Sequence, residues 1–376
     1  MSLPIGINRD LFLLEEPITY LNCANMSPML KTVRDAGLEA LTTRATPWKI
    51  TGPDWFSNAE ILRSYAAQIY QVTDDHIALV PSASYGLATA AKNCKLAAGK
   101  SVIVLENQFP SNFYVWKEMA DRKGSSLIVI PKEGPGTLTD RIVQAIDNNT
   151  GIVTIPNCHW TDGKLIDLGS VSKATKAVGA YLVLDLSQSL GALPVDIETI
   201  DPDFAVAVGY KWLLGPYGLS YMYVAQRWHD TGEPLEYSWL TRKGSEDFSK
   251  LSQYNSEYRP GARKFDMGGY SQFNLLPMAI AALKQITDWG VANIQSNIQQ
   301  LTALIETYKN SQGIASPDPV AGHFTGIPLK NINADVLKKK LSDNRIIISF
   351  RGTSIRVSPH VYNTTKDITR LLECFS

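Results

Sequence analysis

Short, predominantly apolar runs recur along the first two thirds of the chain, most followed by a segment with helical spacing. Ile77 to Pro81, Ser101 to Leu105, Ser126 to Ile130, Gly151 to Ile155, Tyr181 to Leu186 and Phe204 to Val208 read as strands. Tyr85 to Leu96, Phe113 to Lys123, Asp140 to Asp147 and Asp167 to Val178 read as the helices between them. Strands that are apolar at every position, without alternation, are those covered on both faces, and interleaved helices supply the cover. The pattern predicts an α/β fold: a mostly parallel sheet flanked by helices.

Both ends of the chain depart from this rhythm. Met1 to about Pro17 reads as a leading arm, followed by a brief strand at Ile18 to Asn22 and a small-residue turn, Cys23 to Pro28. Helices are expected at Lys31 to Thr43 and Asp54 to Tyr70. From His229 to Arg263 the sequence is polar and aperiodic. Its Tyr237, Trp239, Tyr254 and Tyr258 mark it as an ordered surface excursion rather than a linker. Two helices follow, Phe273 to Trp289 and Ala292 to Tyr308. The tail reads as a small α+β unit: strand His323 to Pro328, helix Ala334 to Leu341, strands Ile346 to Phe350 and Ser354 to Val357, and a closing helix. Thr364 and Asp367 have capping-box spacing at the start of that helix. The chain is expected to divide near Arg259-Pro260-Gly261, into a large domain of residues 17–260 and a small domain made of residues 1–16 and 261–376.

Composition narrows the function classes. Lys+Arg and Asp+Glu both number 36, so no net field favours nucleic acid or an anionic membrane. Hydrophobic residues make up 44% and charged residues 19%, with no long apolar run and no export pattern, which leads to the expectation of a cytoplasmic protein. Cys23, Cys94, Cys158 and Cys374 are scattered without CxxC spacing, so neither a zinc site nor a disulfide framework is expected.

The candidate chemistry lies where strands end. In open α/β sheets ligands sit outside the carboxyl ends of the strands. Asp185 ends one apolar run, and Lys211 follows another by way of Gly209 and Tyr210, 26 residues on. Lys211 is either a surface lysine or, wedged between Tyr210 and Trp212, a partly desolvated nucleophile. Asp185 is either a cap or ion-pair residue or the partner of a cationic ligand atom. Pyridoxal phosphate uses both, a lysine for its Schiff base and an acid against its pyridine nitrogen. Gln188 stands within reach of the ring hydroxyl. Ser82-Ala83-Ser84, between a strand and a helix, forms either a simple cap or a phosphate site. Phe109 lies past a strand end, where an aromatic is either core or a ring-stacking face. Asn157, His159 and Trp160 take the equivalent place on another strand, with His159 read as structural. Arg356 lies in an alternating strand, as a surface arginine or a bidentate carboxylate clamp.

DLSQSLGALPVDI followed by VGYKWLLGPYG resembles the class V aminotransferase family of fold-type I pyridoxal phosphate enzymes. The family includes cysteine desulfurases, kynureninases and isopenicillin N epimerase-like proteins. YLNCANMSP, PSASYGLATAA, ENQFPSNFYVW, RKFDMGGYSQF and SIRVSPHVYNT extend the likeness over most of the chain. The resemblance implies Lys211 as the Schiff-base lysine, Asp185 as the pyridine partner and Gln188 as the ring-hydroxyl contact. Ala83 and Ser84 fall at the phosphate site. Tyr210 and Phe109 follow the kynureninase pattern, touching phosphate and stacking on the ring. Gly269 and Tyr270 fall where the family reaches a partner subunit's phosphate, which implies a homodimer, although Gly269 replaces the usual threonine. Arg356 matches the carboxylate-binding arginine, and Asn25 lies in the substrate-proximal turn. The interval Ile346 to Thr353 is short and lacks the desulfurases' nucleophilic cysteine, which disfavours persulfide chemistry. The expected activity is transamination between a small amino acid and a 2-oxo acid. A lyase or epimerase is the alternative within enzymes, and a non-catalytic cofactor-binding protein the alternative outside them.

Overall fold

The structure is a computed structural model that describes residues 8–314, 316–330 and 332–375; residues 1–7 of the expected arm lie outside them. The strands are β1 (Thr19–Tyr20), β2 (Ile77–Val80), β3 (Ser101–Leu105), β4 (Leu127–Ile130), β5 (Thr150–Pro156), β6 (Tyr181–Asp185), β7 (Phe204–Val208), β8 (Ser220–Val224), β9 (Thr325–Pro328), β10 (Ile346–Ile347), β11 (Ser349–Arg351) and β12 (Ser354–Val357). The helices that matter for the site are α1 (Lys31–Arg44), α2 (Ser57–Tyr70), α3 (Ala83–Asn93) and α4 (Ser111–Lys123).

Seven strands form the central sheet in the order β2-β8-β7-β6-β5-β3-β4. β8 is antiparallel to both of its neighbours, and the remaining pairs are parallel. β2 therefore runs in the same direction as β3 to β7. The expectation of an α/β fold with a mostly parallel sheet flanked by helices holds. β8 adds a strand that the apolar pattern did not give, because the Gly/Pro loop after Lys211 reads as a break. Its five residues are all buried and return the chain along β7.

The register aligns the strand ends. Pro156 on β5 is opposite Asp185 on β6, and Asp185 is opposite Val206 on β7. The loops after β2, β3, β5, β6 and β7 thus open on one edge of the sheet. Helix α3 lies tightly on this sheet. A Cβ on Gly86 would come within 2.5 Å of Val206 Cγ1, so only glycine lets the helix seat at this depth.

A second, three-stranded sheet has the order β11-β12-β9. β12 is its central strand, so Arg356 does not sit on an edge. The expected single strand Ile346 to Phe350 divides at Ile348: β10 pairs in parallel with β1, while β11 pairs with β12. Two partners in different sheets require that break. The capping box forms as the spacing foretold, with Thr364 and Asp367 exchanging hydrogen bonds at the start of the last helix (Thr365–Glu373). Between Trp239 and Phe265 the excursion folds into short 3₁₀ turns tied by the Arg242–Tyr258 bridge.

We propose that, with the division of the chain kept at Arg259-Pro260-Gly261, residues 19–21 go with the small unit rather than with the large domain. Leu21 packs in a separate cluster with Ile327, Ile346, Ile355 and Val357. The β1–β10 pairing ties Thr19 and Tyr20 to the tail. The helix Leu275–Trp289 packs on α1 and α2, and its Leu276, Ala279, Leu283 and Ile286 belong to the main core. Among the described residues, no helix is long and apolar enough to cross a membrane.

Candidate active site

Lys211 is placed by glycine contacts. Gly209 ends β7 where a Cβ would lie 2.6 Å from Leu219 O, and its own N–H donates to that carbonyl at 3.0 Å. Gly215 N–H then donates to Gly209 O at 2.8 Å, closing the loop around Tyr210-Lys211-Trp212. Leu214 takes a left-handed φ of 55°, a strained conformation for a branched side chain. From the other side, the turn after β1 holds the loop: Cys23 Sγ donates to Lys211 O, and Ser27 N–H donates to Tyr210 O at 3.0 Å.

The Lys211 side chain is 6% exposed. Its Nζ stands 5.2 Å from the Phe109 ring centroid and 5.7 Å from that of Tyr210, and among the described residues no carboxylate pairs with it. Burial lowers its pKa to about 8; Asp185 opposes this shift, and Arg356 and Arg351 reinforce it. A buried amine held near neutrality is a competent nucleophile and base.

Asp185 is buried at the end of β6, where its Oδ1 accepts the Ser187 N–H at 3.0 Å. Gln188 is fixed at both ends of its amide: Nε2 donates to Ala24 O at 3.0 Å, and Oε1 accepts the Trp212 indole N–H at 3.1 Å. One cavity is lined by Ala83, Gln108, Phe109, Asn112, Pro156, Trp160, Asp185, Ser187, Gln188, Val208, Tyr210 and Lys211. Six expected site residues, Ala83, Phe109, Asp185, Gln188, Tyr210 and Lys211, therefore meet in it. Ser84 stands beside it, exposed and bonded to Ser111 Oγ at 2.9 Å. Ser82 caps α3 by accepting the Tyr85 N–H, and the amides of the first helical turn have no partner within the helix.

Other expected residues lie apart. Asn25 is exposed in the turn that holds the lysine loop. Gly268 and Gly269 are exposed, whereas the Tyr270 side chain is fully buried and accepts from Arg259 at 2.9 Å. In this chain Gly269 and Tyr270 do not line the cavity. Arg356 is 1% exposed, and its Nη1 donates to Trp160 O at 2.8 Å. Burial, followed by the charge of Arg351, lowers its pKa to about 9, so it remains a guanidinium at neutral pH. His159 is buried between Glu106 O and Thr161 Oγ1, a structural position. All four cysteines are buried. Burial raises the thiols of Cys23 and Cys158, which favours their protonated form over a nucleophilic thiolate.

Sequence reasoning named Trp160 only as one of three residues past a strand end and did not single out Gln108, Asn112 or Ser187. Asn112 Oδ1 accepts from Trp116 Nε1 and Thr154 Oγ1, while its buried Nδ2 has no partner among the described residues. The same holds for the buried Ser187 Oγ and Asn157 Oδ1. Nothing in their spacing marks them, apart from their place just past strand ends.

This set of groups fits pyridoxal phosphate. A buried acid accepts only a backbone N–H among the described residues, and an unpaired amine faces an aromatic ring. Orphaned polar atoms sit at the strand-end edge, and a helix start opens beside them.

The family model described as Aminotransferase class-V matches residues 52–371. The chain is 25% identical over 347 residues to the uncharacterized aminotransferase YcbU of Bacillus subtilis (strain 168), covering 92% of this chain and 89% of that one. It is 28% identical over 310 residues to a kynureninase of Deinococcus radiodurans, covering 80% and 73%. Its fold is similar to that of a C-DES mutant with glycine covalently linked to its PLP cofactor, with a TM-score of 0.86 at 16% identity over 98% of this chain and 99% of that one.

Proposed function

We propose, from the premise that this chain belongs to the Aminotransferase class-V family, that it transaminates a small amino acid against a 2-oxo acid, as a cytoplasmic homodimer. The cofactor is pyridoxal 5′-phosphate. The observation that carries the reading is the meeting, in one cavity at the ends of β6 and β7, of the buried Asp185 with a buried Lys211 whose pKa is lowered to about 8.

When bound, the cofactor carries the amino group and accepts the electron pair released at the substrate's α-carbon. Asp185 would hold its pyridine nitrogen, Phe109 its ring face, Gln188 its ring hydroxyl, and Tyr210 with the α3 start at Ala83 and Ser84 its phosphate. Lys211 Nζ anchors the cofactor and then moves the proton at the substrate's α-carbon, the work of a positioned base with pKa near ambient pH. Arg356 orients the substrate by its carboxylate, and Asn25 borders it. The buried, protonated cysteines speak against a thiolate acceptor for sulfur. A dimer would cover Tyr217, which is 69% exposed with its ring 4.6 Å from that of Tyr210, and would bring the exposed Gly269 to the partner's site, with Tyr270 buried beneath it in its own chain. The four unpaired cysteines accord with a reducing compartment.

A panel of amino acids on the purified holoenzyme tests the reading. Accumulating 2-oxo acid with conversion of the cofactor to its pyridoxamine form is the expected result. Ammonia with pyruvate would make the enzyme a lyase, inverted amino acid an epimerase, and no spectral change with any substrate a non-catalytic binder. Lys211→Ala should lose both turnover and the visible absorbance of the lysine-bound cofactor.

A further inference from the structure

We propose that Arg351 forms a second anion contact beside Arg356, so that the substrate is an amino acid whose side chain ends in a carboxylate. The inference rests on the assignment of Arg356 to the α-carboxylate and extends it. On the β11–β12 hairpin Arg351 is opposite Ser354, and Ser349 is opposite Arg356. Directly opposed residues and residues two apart share a face, so the two arginines are diagonal neighbours on one side of the sheet. That side meets the cavity through Trp160, whose ring centroid lies 5.5 Å from the Arg351 guanidinium carbon and 6.0 Å from that of Arg356. Gly326, opposite Arg356 on β9, allows the approach: a Cβ there would come within 2.8 Å of Asp162 Cβ.

Neither arginine has a carboxylate partner among the described residues, although ion pairs engage many other arginines, Arg63, Arg227, Arg259 and Arg263 among them. Arg356 donates to Trp160 O and Arg351 to Phe350 O, and among the described residues the buried Nε atoms of both have no partner. Two neighbouring guanidiniums repel each other, and unpaired buried donors are costly. One carboxylate satisfies one fork. A second anion satisfies the other and cancels the repulsion. The face thus has the charge and donor count of a site for two anions.

Calorimetric titration of the pyridoxal phosphate-loaded protein with glutarate and with valerate separates the two contacts, because these acids differ by one carboxylate. Glutarate should bind about tenfold tighter or better. Arg351→Gln should erase that preference and leave valerate affinity unchanged, while Arg351→Lys should restore part of it. In turnover, the same variant should raise KM for glutamate or aspartate and leave KM for a neutral amino acid unmoved. Equal affinity for the two acids, or a preference that survives Arg351→Gln, overturns the proposal. If valerate binding is lost in Arg356→Gln, the α-carboxylate assignment stands in either case, so the two readings fail separately.

Discussion

The Trp212 indole N–H donates to Gln188 Oε1 at 3.1 Å, so the residue after Lys211 fixes the amide three residues after Asp185. Gln188 Nε2 is directed to Ala24 O at the same time. Trp212→Phe keeps a ring among His323, Phe324 and His360 but removes the donor. A neutral hydrogen bond contributes about 1 kcal/mol. The variant should therefore fold and bind pyridoxal phosphate several-fold more weakly, as read by equilibrium dialysis.

Lys211 should titrate early. Burial lowers its pKa to about 8 from the ordinary lysine value, so the amine loses its proton as pH rises through about 8. The rate at which cofactor-free protein captures pyridoxal phosphate should climb with pH to a plateau just above that point. A midpoint near 10.5, the value of a solvated lysine, would sink the burial argument.

Arg63 and Asp266 form an ion pair at 2.7 Å with both side chains fully buried, and Asp266 Oδ1 also accepts the Leu79 N–H of β2 at 2.7 Å. Asp266→Ala strands a strand amide and, among the described residues, leaves the buried guanidinium with only Glu60, at 3.4 Å, and Ile77 O. Loss of one partner from such a pair costs about 3–5 kcal/mol. Denaturant unfolding should show a drop of that size, whereas Lys117→Ala, which breaks an exposed pair on α4, should leave stability almost unchanged.

Gly209→Ala places a methyl group 2.6 Å from Leu219 O and forces the lysine loop to shift. Overpacking of this kind costs about 1–3 kcal/mol. Thermal melts should fall accordingly, and the absorbance maximum of the lysine-bound cofactor should move or weaken even where the fold survives.

His323 and His360 lie buried against Trp212, with burial pushing their pKa values down to about 4 and about 3. Their folded values lie below the unfolded 6.5, so the unfolded chain takes up protons that the folded chain refuses. Stability is therefore complete above pH 6.5 and falls as pH drops towards 4. Among the described residues His360 has no partner for either ring nitrogen, so His360→Phe should be neutral or stabilising at pH 7 and should flatten the acid limb of stability against pH.

Much of the candidate cavity was legible because Asp185 and Lys211, which line it, interrupt apolar runs. The strands Ser101–Leu105, Phe204–Val208 and Ser354–Val357 were legible to the residue, since each is apolar or alternating between turn-forming residues. β8 escaped notice because Pro216 and Gly218 punctuate its approach, and only its pairing with β7 reveals it. The break at Ile348 was hidden because both halves are apolar and partner choice is decided by distant β1. Trp160 looked like one of several polar or aromatic residues after β5. Its place between two arginines depends on the register of β9, β11 and β12, which spacing alone does not encode. The wiring of Gln188 is likewise a tertiary fact, joining it to Ala24 across 164 residues and to Trp212 across 24.

The turn after β1 has a consequence for how the protein is made. Ser27 bonds to Tyr210 O across 183 residues, and Ala24 N–H bonds to Ser358 Oγ across 334. Contacts of such separation form late, because long loops must close before they are rewarded. During synthesis the lysine loop can emerge and its sheet assemble while the clasp over it still waits for β12. The cavity around Lys211 is thus latched only after Ser358 has been made, and a nascent chain stalled before Ser358 would hold Lys211 in an unlatched loop.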